Sequence, residues 1–171
     1  MSSWKDIDRF FAALVIGANA LASFWIFVMM IMVVADVTGR FLFNAPIDGT
    51  TELVGMSVIA VLYMQIPYTL RSGRMTRSDA FHARLTEKNP IIGHTLGLVF
   101  HLAGAALMAM IMSAAWPKTV DAYVSKFYVG TIGVFTFPEW PMFFIVFLGC
   151  GLTAIQFLAL AYADARAMAR G

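Results

Sequence analysis

Charge is what this sequence has least of. Asp, Glu, Lys and Arg make up 13% of its 171 residues, against roughly a quarter in a soluble domain. The scarcity is also local. Phe10–Ala35 (26 residues), Leu53–Leu70 (18), Asn89–Pro117 (29) and Trp140–Ala163 (24) contain no charged residue at all. This excludes a disordered chain, a coiled coil and a nucleic-acid tail, so no nucleic-acid partner is expected. Cysteine is nearly absent. Cys150 stands alone, which excludes an internal disulfide or a thiolate zinc cluster; it reads as a small buried hydrophobe. With no Asp, Glu, Lys or Arg inside any run, neither a catalytic constellation nor a mid-membrane ion-coupling acid is visible. No enzymatic activity is expected.

What is there is apolar: 60% of residues are hydrophobic and mean hydropathy is +0.77. About 20 apolar residues cross a hydrocarbon core of roughly 30 Å. The runs lack the polar alternation of a membrane barrel strand. Four transmembrane helices follow, at 10–35, 52–71, 91–116 and 140–163, in an all-α membrane protein of one domain, 1–171. The first run is too long for a signal peptide and ends in Asp36 rather than a small-residue cleavage site. Nine of the twelve Lys and Arg fall before the first run, between the second and third, or after the fourth. The positive-inside rule therefore puts both termini in the cytoplasm.

The segments between spans differ in character. Asp36–Thr51 carries the turn residues Asn44, Pro46 and Gly49. Lys118–Glu139 contains twelve uncharged residues from Phe127, too few to span, which suit the interface or a partner surface. Arg71–Pro90 is basic. Phe81 and Leu85 are four apart there, so the segment is either an amphipathic helix offering Arg74, Arg77, Arg84 and Lys88 to lipid phosphates or a solvated loop.

Within the spans a few residues stand out. His94 and His101, seven apart, share one face of the third helix. They either bond to neighbouring helices or serve as haem ligands. Gly93 and Gly97 form a small-residue pair that lets helices approach closely. Gln65 and Gln156 are candidates for interhelical bonds. Asp36 and Arg40 are spaced for an i,i+4 pair. Glu52 opens the second span, where an acid suits the helix dipole; it could also meet Arg40 or a partner's cation. Pro67 should kink the second span.

Three stretches carry a resemblance. The first runs from Gly39-Arg40-Phe41 through Asn44-Ala45-Pro46-Ile47 to Thr51-Glu52-Leu53. The second is Tyr68-Thr69-Leu70-Arg71-Ser72-Gly73-Arg74 with Arg77-Ser78-Asp79. The third is Pro138-Glu139-Trp140-Pro141, then Gly149 and Thr153-Ala154-Ile155-Gln156-Phe157. Together they resemble the small membrane (Q, DctQ-type) subunit of tripartite ATP-independent periplasmic (TRAP) transporters. The family often has two acids where Thr51-Glu52 stands and a His near Met75.

The resemblance implies a non-catalytic small permease subunit in a bacterial inner membrane. It would scaffold a large permease subunit for sodium-driven uptake of an organic acid delivered by a periplasmic binding protein. Membrane lipid, the large permease and the binding protein are the implied partners. No cofactor is implied in this chain, because sodium coupling would sit in the large subunit. Arg40, Asn44, Pro46, Glu52, Gly93 and Gly97 become assembly candidates, with Arg40 and Glu52 as a pair. Asp48, Lys118, Asp121 and Lys126, with Arg40, become docking candidates for the binding protein. Two other readings compete: a haem- or quinone-bearing membrane anchor of a respiratory oxidoreductase, and a self-contained small exporter.

Overall fold

A computed structural model describes residues 2–72, 90–131 and 135–168. Among these described residues are four helices: α1 (Ser2–Phe43), α2 (Thr50–Arg71), α3 (Pro90–Val124) and α4 (Trp140–Met168). Each is long and apolar enough to cross a membrane. Between α3 and α4 lies an antiparallel hairpin, β1 (Tyr128–Thr131) and β2 (Phe135–Pro138), with Tyr128 opposite Pro138.

The helices overrun the charge-free runs. The 42 residues of α1 extend about 63 Å at 1.5 Å per residue, twice the hydrocarbon thickness. It continues eight residues past Ala35, carrying Asp36 and Arg40 as helical residues. The α3 helix runs through Pro117 to Val124, so Lys118 and Asp121 ride on a helix rather than in the expected loop. Water and lipid headgroups can satisfy the backbone groups freed beyond the apolar core, so a helix end there need not coincide with the last apolar residue.

Backbone chemistry marks the ends. Asn44 takes a left-handed φ of 51°, and Ala45 N–H returns to the Gly39 carbonyl, closing α1. Lys126 does the same for α3 at φ 53°, with Phe127 N–H bonded to the Ala122 carbonyl. Pro141 sits in the first turn of α4, where its missing N–H costs nothing. Gly130, at φ 112°, faces the Phe135 backbone so closely that a side chain there would collide with its carbonyl.

The helices form an open row rather than a closed bundle. The main contacts are α1 on α2, α2 on α4 and α4 on α3. Small residues sit at the crossings. A Cβ at Gly149 of α4 would strike the Tyr63 carbonyl of α2, and one at Gly104 of α3 would strike the Phe157 ring of α4. In lipid, helices associate through such close packing, because lipid tails are as apolar as the helices themselves. The buried clusters follow the row. Ala22 and Met29 meet Val61; Leu70 and Ala105 meet Phe157; Ala115 meets Val146 and the fully buried Cys150. Where α1 and α4 diverge, an apolar trough of about 580 Å³ opens over Met64, bordered by Phe10, Leu14, Gly17 and Leu148.

Replacing Gly149 with Leu should therefore cost about 3 kcal/mol through forced separation of α2 and α4. Gly17→Ala, which meets nothing within 4 Å, should leave stability unchanged or slightly raised. Thermal unfolding of the detergent-solubilised protein distinguishes the two.

Candidate functional site

Polar side chains inside the described residues concentrate at the two ends of the row. At one end lie the α1–α2 turn and the hairpin. At the other lie the start of α1, the end of α2, the start of α3 and the end of α4.

The turn is organised by Asp36, which is 7% exposed. Its Oδ1 accepts the Ile47 N–H at 2.7 Å and its Oδ2 accepts from Arg40 Nη2 at 3.1 Å. One carboxylate thus ties the last turns of α1 to the chain leaving it, while Thr50 Oγ1 donates to the Ile47 carbonyl. Gly49, at φ 83°, caps α2 and abuts the Phe135 ring of β2. The hairpin therefore rests on the turn. Tyr123 and Trp140 stack edge to face across the hairpin's base at 5.8 Å.

The sequence-derived candidates fall unevenly on this end. Arg40 pairs with Asp36, so its expected pairing with Glu52 is not formed: the acid four residues before it on the same helix takes it instead. Asn44 supplies the left-handed residue that ends α1, and Pro46 is exposed in the turn. Asp48, Lys118, Asp121 and Lys126 are all exposed, but on different elements: the turn, α3 and the α3–β1 corner. Glu52 lies half-buried in the first turn of α2 and shares a groove with Glu139.

The opposite end holds two polar clusters. Arg71, the last residue of α2, bonds both carboxylate oxygens of Asp8 on α1, at 3.0 and 3.1 Å. It also reaches Gln156 Oε1 on α4 at 3.4 Å. In the second cluster, His101 donates from Nδ1 to Asp164 Oδ2 at 2.7 Å, and His94 Nδ1 meets Oδ1 of the same carboxylate at 3.3 Å. His101 is 5% exposed, so the bond holds it inside the α3–α4 contact. An ionised carboxylate only accepts, so each ring presents its Nδ1 hydrogen. Gly93 and Gly97 are buried on the same helix. Arg74, Arg77, Arg84 and Lys88, and the proposed amphipathic segment with them, lie outside the described residues.

Sequence reasoning missed Asp164, Asp8 and the Arg71 bridge. The seven-residue spacing of the histidines was the only signal for the first. Nothing in the sequence pointed to a bond between residues 8 and 71.

Taken together, these polar groups tie helix to helix; among the described residues no three His, Cys, Asp or Glu are grouped to hold a metal ion. The arrangement is that of a multi-pass membrane protein whose polar clusters join its own helices. Residues 29–167 match the model of the family described as tripartite ATP-independent periplasmic transporters, DctQ component. The chain belongs to this family and is a small (Q) subunit of a TRAP transporter. The family is one part of a tripartite system, alongside a large permease and a periplasmic binding protein. No curated protein and no solved structure matches the chain.

The geometry ranks the polar ties. Asp36→Ala should cost about 2 kcal/mol, through loss of two bonds to a charged acceptor. Arg40→Ala should cost under about 0.5 kcal/mol, because its side chain is 62% exposed and surface pairs contribute little. Asp164→Ala should destabilise more than His94→Ala, whose single contact is longer and more exposed. Unfolding midpoints of the four variants in one detergent check the order.

Proposed function

We propose that this chain is the non-catalytic small permease subunit that holds a large permease subunit in place during sodium-driven uptake of an organic acid. The open row of helices is the observation that carries the reading. A self-contained transporter needs a path enclosed by its own helices, usually with polar groups or broken helices near the midplane. Here α1 has its main contact with α2 alone, and the polar side chains of the two clusters bond one helix to the next: Arg71 to Asp8 and Gln156, and Asp164 to His94 and His101. Such a row is suited to lie against a larger body and stiffen it.

The remaining roles follow from the family and the charge pattern. A periplasmic binding protein delivers the substrate, and the hairpin end faces it. The exposed Asp48, Lys118, Asp121 and Lys126 give that end a mixed polar surface, which steers a soluble partner more than it binds it. Both termini lie in the cytoplasm of a bacterium, on the inner face of its inner membrane. Sodium and substrate sites reside in the large subunit, and this chain carries no cofactor. The respiratory-anchor reading is disfavoured because residues 29–167 match a transporter family and because both histidines lie on one helix, which cannot supply ligands to opposite faces of one haem.

Two measurements test this. Deleting the chain while leaving the large permease gene intact should lower the permease's membrane level roughly fivefold, read by quantitative proteomics; an unchanged level contradicts the scaffold role. For orientation, Lys126→Cys should react with a membrane-impermeant maleimide in cells whose outer membrane alone is opened. Ser72→Cys should react only after the inner membrane is breached. The natural Cys150, with no exposure, should stay silent, and the reverse labelling pattern would invert the topology.

A further inference from the structure

Among the described residues, four carboxylates at the hairpin end form no side-chain bond: Asp48, Glu52, Asp121 and Glu139, of which Asp48 and Asp121 are exposed to water while Glu52 and Glu139 are half-buried. Arg40, the nearest cation in sequence to Glu52, is taken by Asp36. Neither Glu52 nor Glu139 forms a side-chain hydrogen bond or ion pair among the described residues. Glu52 and Glu139 line one groove of about 330 Å³ between α2, Val129 of β1 and the start of α4. Below them the groove is apolar, with Met56 and Ile59 on one wall and Met142 on the other. Gly55 leaves its floor open: a Cβ there meets nothing within 4 Å.

The shape of the groove restricts what fits it. Residues 52, 55, 56 and 59 recur at three- and four-residue spacing, so they form a stripe along the axis of α2. From Glu52 to Ile59 the stripe descends about 10 Å. A lipid headgroup would engage only its upper rim. An apolar helix laid along it would fill its length and approach closely at Gly55, as small residues allow between membrane helices. Unpaired carboxylates beside an apolar surface are costly to cover unless a cation comes with the cover. A guanidinium, planar and forked, can bond two carboxylates at once.

We infer that this groove docks a transmembrane helix of the large permease subunit, with an Arg or Lys of that helix set between Glu52 and Glu139. The inference rests on the assembly reading above and deepens it by naming the surface and the chemistry of its occupant. The cation lies at the hairpin end of the partner helix, and the residues one and two turns deeper are apolar. Glu52 and Glu139 thus fix the depth at which the partner helix sits, and Gly55 fixes its distance.

The test uses the complete transporter in native membranes. A photo-crosslinking phenylalanine derivative placed at Ile59, which lines the groove and is exposed, should yield a product joining this chain to the large permease. The crosslinked peptide should carry an Arg or Lys within about one helical turn of its membrane boundary. Separately, Glu52→Gln with Glu139→Gln should reduce the permease recovered on the tagged chain roughly tenfold, while the chain's own membrane level stays constant. Glu52→Lys should do the same, and reversing the partner's cation to Glu should restore recovery.

Crosslinking at Ile59 to lipid, to a second copy of this chain or to the soluble binding protein would overturn the inference. So would full recovery by the double Gln variant. If the unmodified chain recovers no permease, the assembly reading fails first. If it recovers permease but Ile59 crosslinks elsewhere, only the groove assignment fails.

Discussion

The close approach of α4 to α2 at Gly149 is the contact on which the rest of the structure depends. Only a hydrogen fits between that glycine and the Tyr63 backbone. In water, burial of apolar surface would force helices together; in lipid that drive is missing, and packing must supply it. Gly149 brings α2 against α4, and Gly104 lets Phe157 of α4 settle against α3. The α4 helix is consequently the one on which both neighbours lean. Polar bonds then secure what packing begins: Arg71 joins α2 to both α1 and α4, and Asp164 joins α4 to two histidines of α3.

Because the row does not close, much of each helix remains without a protein neighbour. Phe24, Phe27, Ile31 and Val34 on α1 are all at least half exposed, as are Val99 and Phe100 on α3. Such side chains are at home in lipid and equally suited to another apolar protein surface. A long helix such as α1, anchored mainly on α2 and pinned at its ends by Asp8 and Asp36, makes a stiff outer rib. That suits the role proposed above, in which this small subunit of a TRAP transporter contributes shape and rigidity to a larger one.

Much of the fold was legible in the sequence because lipid imposes one strong rule. A run without charge, long enough to span, becomes a helix, and all four did. The limits of those helices were less legible. Asp36, Arg40, Lys118 and Asp121 mark the edge of the apolar core, but helix geometry continues into the wet interface, where charge carries no penalty. The hairpin was hidden for a different reason. Its twelve uncharged residues read as interfacial, whereas Gly130 and the seat of Phe135 against Gly49 fold them onto the first turn. In the assembly candidates, local spacing revealed Asp36 with Arg40 and suggested that His94 and His101 bond to a neighbouring helix. Their partner Asp164 lies 63 residues beyond His101 and just outside the last run. Long-range pairing of that kind leaves no trace in local periodicity. Glu52 was visible as a helix-opening acid, but the groove it shares with Glu139 exists only once α2 and α4 are side by side.

The central claim is that an open row of four helices is completed by a different, larger protein. Native mass spectrometry of the tagged particle, released from mild detergent, tests it most directly. The account predicts one copy of the 18.8 kDa chain bound to one large polytopic protein, with no species of this chain alone beyond the monomer. A stable homo-oligomer, in which copies of the chain cover each other's open faces without a second protein, would contradict it.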